Sequence, residues 1–91
     1  MNSLSIADAK KLGVMIRELR QAAGLTRMEL QAETQVSVAM IKNYEMCRRP
    51  ITEWALQRLL AHPSMRDLPA MAAAEGIKLS LEGDADKKPD E

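Results

Sequence analysis

Lys42 and Asn43 are neighbours whose side chains carry the hydrogen-bonding chemistry that base edges answer. A lysine ammonium can donate to guanine O6 and N7, and an asparagine amide can pair in bidentate fashion with adenine N6 and N7. Val38 and Ala39, just upstream, are small apolar side chains of the kind that meets a thymine methyl. Downstream, Arg48 and Arg49 offer two guanidinium groups to phosphate oxygens. Such contacts set register and supply salt-dependent affinity. Catalytic chemistry has no comparable constellation. No nucleophile, base and orienting group fall together, and no phosphate-cradling glycine loop occurs. One histidine (His62) and one cysteine (Cys47) do not make a metal-ligand set or a disulfide framework. The expectation is a binding protein and no enzyme, without cofactor or metal. His62 is expected to cap a helix end, Cys47 to be a plain loop residue, and Trp54 to serve the core or a dimer contact.

Reading bases requires that Val38, Ala39, Lys42 and Asn43 occupy the first turns of a helix whose N-terminus enters the major groove. The sequence marks such a helix clearly. Ser37 is a good N-cap, and Val36 and Ile41 flank it at the two positions of a hydrophobic staple. Thr26-Arg-Met-Glu29 is a capping box with Leu25 and Leu30 at the staple positions. Thr52 is a further cap, flanked by Ile51 and Leu56 after the Arg48-Arg49-Pro50 stop. These signals predict helices near 27–33, 38–45 and 53–61. Only Thr34, Gln35 and Val36 separate the first of these from the cap of the second, which forces a sharp helix-turn-helix. Upstream, Ser5-Ile-Ala-Asp8 opens a longer helix running to Gly24. Its stripe of Leu12, Met15, Ile16, Leu19, Ala22 and Ala23 has helical period. Gly13 inside it costs roughly 1 kcal/mol relative to alanine, a cost that a close helix–helix approach would justify. Downstream, Ser64-Met-Arg-Asp67 starts one turn, Pro69 restarts it, and residues 70–75 continue helically to Gly76. Residues 77–82 alternate apolar and polar, the period of a half-buried strand. Residues 83–91 are charged, lack large apolar side chains and are expected to be disordered.

Composition agrees with a small helical bundle. Ninety-one residues suit one domain. The apolar fraction is 46%, yet there is one Trp, one Tyr and no Phe, so Leu, Ile, Ala and seven Met must fill the core. That composition favours packed helices over a β-sandwich. No apolar run approaches the roughly 20 residues of a membrane span, and no signal-peptide core follows Met1, which leads to the expectation of a cytoplasmic protein. The net charge of zero conceals an asymmetry: residues 1–60 hold nine Lys/Arg against six Asp/Glu, and residues 61–91 four against seven. The basic body suits an anionic partner.

The ordered series Leu19-Arg20, Gly24-Leu25-Thr26, Met28-Glu29-Leu30, Val36-Ser37, Ile41, Tyr44-Glu45 and Arg48-Arg49-Pro50 resembles the phage-repressor type of helix-turn-helix domain, the Xre/Cro-like family. The resemblance runs from Leu12 to Leu60. It implies an all-α fold, a compact bundle of about five helices over residues 5–75 whose third helix enters the DNA major groove. It also implies that Arg27 holds a phosphate, with Ser37, Arg48 and Arg49 as further backbone contacts, and that Arg20 and Glu45 form a partly buried ion pair. Three positions depart from the family pattern: Gln31 replaces a small residue, and Gln35 and Cys47 replace glycines. A left-handed residue other than glycine costs roughly 1–2 kcal/mol.

The strand expected over 76–82 has no partner in a helical chain. Antiparallel pairing with a second copy through Ile77, Leu79 and Leu81 would complete it and give a homodimer. A dimer bound to an inverted-repeat operator would act as a transcriptional repressor in the bacterial nucleoid. The alternative is an Xre-like antitoxin that regulates its own gene and docks a toxin protein; Leu56-x-x-Leu59-x-x-His62-Pro63 resembles the end of some antitoxin domains. A DNA-independent adaptor is a third reading, and Lys42 and Asn43 speak against it.

Overall fold

The computed structural model describes residues 5–79 of the chain. Five α-helices follow one another: α1 (Ile6–Ala22), α2 (Arg27–Thr34), α3 (Val38–Glu45), α4 (Glu53–Leu60) and α5 (Leu68–Ala74), with a 3-10 turn over Pro63–Met65. The first four start where the sequence places their caps. Ser5 Oγ accepts the Asp8 N–H, Ser37 Oγ that of Met40, and Thr52 Oγ1 that of Ala55. At Thr26 the capping box closes in both directions with Glu29. Each cap satisfies an amide that the helix itself leaves without a partner, for about 1 kcal/mol.

α1 is the spine, packing on α3, α5 and the 3-10 turn, while α2 packs on α3. Leu12 and Ile16 of α1 meet Leu30, Ile41, Leu56, Leu59, Met65 and Leu68 in a core from which water is excluded. Gly13 lies where α1 crosses the end of α3. A Cβ there would fall 2.7 Å from the carbonyl carbon of Tyr44 and closer still to its oxygen, so only glycine permits this crossing.

Three helices stop in the same way. Gly24, Cys47 and Gly76 are left-handed, with φ of 72°, 59° and 77°. After each, the chain folds back in a Schellman motif: Leu25 N–H donates to Arg20 O, Arg48 N–H to Asn43 O and Ile77 N–H to Ala72 O. The last of these corrects the sequence reading. Residues 77–79 form no strand; Ile77 is 3% exposed and packs in the core of its own chain. Ile77 is the apolar residue that follows a helix-ending glycine, as Leu25 is after Gly24. Leu79 is half-buried, and Leu81 with the rest of the expected strand and the 83–91 tail lies outside the described residues. The turn after α4 also differs: it begins at Pro63 and is capped by His62, whose Nδ1 accepts the Ser64 N–H. His62 is thus a cap, but of the following turn rather than of the end of α4.

Candidate nucleic-acid interface

The α2–α3 unit is built around three linking residues. Gln35 has φ 67° and ψ 11°, the left-handed conformation its family position implies. Its neighbours answer the amides that this turn leaves open. Thr34, buried, donates its hydroxyl to Leu30 O at 2.7 Å and accepts the Val36 N–H at 3.2 Å. Val36 is then driven fully into the core, and Ser37 caps α3. Gln31 reaches forward from α2, and its Oε1 accepts the Val38 N–H at 2.7 Å. The position where the family has a small residue therefore holds a second cap for α3.

α3 turns Ile41, Tyr44 and Glu45 inward. Its opposite side presents Ala39 and Lys42, both exposed, with Ser37, Val38 and Asn43 half-exposed at its margins. The four side chains expected to read bases thus lie on the accessible part of one short helix. Beyond α3, Arg48 and Arg49 are exposed, and both backbone amides donate to Asn43 O, at 2.9 and 3.4 Å. That fold-back holds the arginine pair beside the C-terminal end of α3. Cys47 occupies the left-handed corner, with Sγ 3.7 Å from Lys10 O.

Glu45 organises the charges behind this surface. Its carboxylate is fully buried and receives Arg20 through two hydrogen bonds, Nε–Oε2 at 2.7 Å and Nη2–Oε1 at 3.0 Å. Arg20 Nη1 donates to Leu25 O at 2.7 Å, so the guanidinium ties α1 to both α3 and the loop before α2. Hydrogen bonding to Glu45 raises the Arg20 pKa above its ordinary value, against the opposing effect of burial. The ion pair between Arg20 and Glu45 is as the resemblance implies. Arg27 was not expected in it, yet its Nε donates to Glu45 Oε1 at 3.0 Å with the side chain 31% exposed. Two arginines around one carboxylate leave a net positive charge. Arg27, the outer one, is anchored to the C-terminal end of α3.

A family described as a helix-turn-helix domain matches residues 11–77, most of the chain. The chain belongs to this helix-turn-helix family. The matched region takes in all of α2 to α5 and most of α1, and a helix-turn-helix domain is a DNA-binding unit. Comparison with curated proteins and with solved structures finds no match for the chain. No helix among the described residues is long and apolar enough to cross a membrane.

Three contributors to the helix-turn-helix geometry were not legible in the sequence. Gln31 stands out only as a departure from the family pattern, which gave the one available hint. Arg58, on α4, gave none: its Nε donates to Thr34 O at 3.0 Å and its Nη2 to Gln35 Oε1 at 2.5 Å, across more than twenty residues of chain. His62, from the segment after α4, pairs through Nε2 with Glu33 of α2.

Proposed function

We propose that this protein is a transcriptional repressor that binds double-stranded DNA in a sequence-specific way, as a homodimer on an inverted-repeat operator, and denies the promoter to RNA polymerase. The observation that carries the reading is the accessible side of α3, which offers Val38, Ala39, Lys42 and Asn43, with Arg48 and Arg49 exposed just beyond its C-terminal end and Arg27 tied to that end through Glu45. In this reading the four α3 residues contact base edges, and Arg27, Ser37, Arg48 and Arg49 hold phosphates.

The body measures 30 × 30 × 23 Å and carries one such helix. Half-sites one helical turn apart are separated by about 34 Å, so two copies are needed to read both. Ile77 is committed to its own core and is withdrawn from the dimer contact. Leu79 remains, lining a groove along α5 together with Pro69 and Ala73.

Selection of duplexes from a random library by the wild-type protein, followed by titration of the preferred site, tests the proposal. Lys42→Ala and Asn43→Ala should each relax preference at one base pair by about 1–3 kcal/mol and leave thermal stability nearly unchanged. Enrichment of no sequence by the wild-type protein refutes specific reading, and unchanged specificity in both variants removes α3 from it.

A further inference from the structure

We infer that Arg58 is a positioning residue for DNA reading: from α4, without touching DNA, it fixes the angle at which α3 is presented. The inference rests on α3 being the reading helix, as proposed above.

The left-handed turn at Gln35 is the hinge between α2 and α3. Left-handed backbone disfavours any side chain but glycine, so a glutamine there needs something to hold it. Thr34 and Gln31 act from α2 itself and therefore move with it. Arg58 is different because it reaches the turn from another helix. Its planar fork bridges two acceptors, the Thr34 carbonyl near the end of α2 and the side-chain oxygen of Gln35. Only a guanidinium spans two acceptors in this fixed geometry. The fork is itself steadied, since its carbon lies 5.7 Å from the centroid of the Trp54 ring, one turn back on α4.

A second tie runs parallel to the first. His62 Nδ1 lies against the Ser64 amide and hydroxyl, and Nε2 pairs with Glu33 in the last turn of α2. Arg58 and His62 are four residues apart and grip consecutive residues of one helix end, Glu33 on one side and Thr34–Gln35 on the other. The glutamine that replaces the family glycine thereby has a use. A glycine would relax the backbone but give Arg58 nothing to hold beyond the Thr34 carbonyl.

The consequence for reading is geometric. α3 has eight residues, about 12 Å at 1.5 Å rise per residue, so a tilt of about 5° about the turn moves its far end by roughly 1 Å. That displacement is enough to take a bidentate pair out of hydrogen-bonding range. Looseness at the turn would therefore cost discrimination between sequences far more than it costs affinity for DNA in general.

The test uses the full chain and the duplex that the wild-type protein selects, with a scrambled duplex as reference. Arg58→Lys keeps the charge and loses the fork. Gln35→Gly keeps Arg58 and removes its side-chain acceptor while relaxing the backbone, so it stays folded if Arg58→Lys does not. Each should lower the ratio of specific to scrambled affinity by about fivefold or more, with scrambled affinity changing less than twofold. Each should also speed amide hydrogen exchange at Val36 and Val38 by about tenfold while leaving Leu12 and Ile16 in α1 unchanged. Wild-type discrimination in both variants overturns this inference and leaves the DNA-binding reading standing. A wild-type protein that prefers no duplex overturns both.

Discussion

Replacing Glu45 by alanine is the most severe perturbation that the interface offers. Arg20 has a side chain only 10% exposed, and two of its three hydrogen bonds end on the Glu45 carboxylate. Glu45→Ala would leave a cation buried with Leu25 O alone as acceptor. An uncompensated buried charge of this kind costs about 3–5 kcal/mol. At about 0.05–0.15 kcal/mol per residue, a body of this size has a total stability of roughly 4–11 kcal/mol, so the single change removes between about a quarter and all of it. Removing both charges should be much milder. Arg20→Met with Glu45→Leu replaces the pair by apolar side chains, and such replacements are often neutral or stabilising. Arg27 then loses its acceptor, but a partly exposed pair is worth roughly 0–1 kcal/mol. Urea denaturation followed by circular dichroism, with a double-mutant cycle, measures the difference. Two results would refute the reasoning: a Glu45→Ala protein within about 1 kcal/mol of wild type, or a double variant no more stable than the single one.

The remaining expectations concern charge, packing and assembly. Arg27→Ala and Arg49→Ala should weaken binding to all duplexes alike and lower the slope of log affinity against log salt by about one unit each; loss confined to the selected site would make them base readers. Gly13→Ala gains roughly 1 kcal/mol of helix propensity but drives a Cβ into the Tyr44 carbonyl, so α1 and α3 must separate and the net change should be a destabilisation of about 1–3 kcal/mol in thermal or urea melts. Leu79→Asp should give a folded helical monomer by analytical ultracentrifugation and circular dichroism, with much weaker binding to the selected site; a variant that stays dimeric places the contact elsewhere.

What the sequence determined by itself are the features set within one turn of chain. The capping residues Ser5, Thr26, Ser37 and Thr52 each answer the amide three residues ahead, so the helix starts can be read one at a time without knowledge of the fold. Glycine within the long apolar stripe of α1 already signalled a close crossing, and the three residues between the helix expected over 27–33 and the cap at Ser37 already required a sharp turn. The family pattern supplied the left-handed positions of Gln35 and Cys47. The interactions that only the tertiary structure decided join residues distant in sequence. Arg27 could be read as a free phosphate ligand until α3 brought Glu45 to it, and Arg58 had no visible role until α4 lay over the turn. Residues 77–79 show the limit most plainly. Alternation of apolar and polar residues is the local signature of a strand, but a strand exists only where another backbone pairs with it. Here the Ile77 amide meets the end of α5 and its side chain meets the core, and those two contacts, invisible to periodicity, settle the conformation.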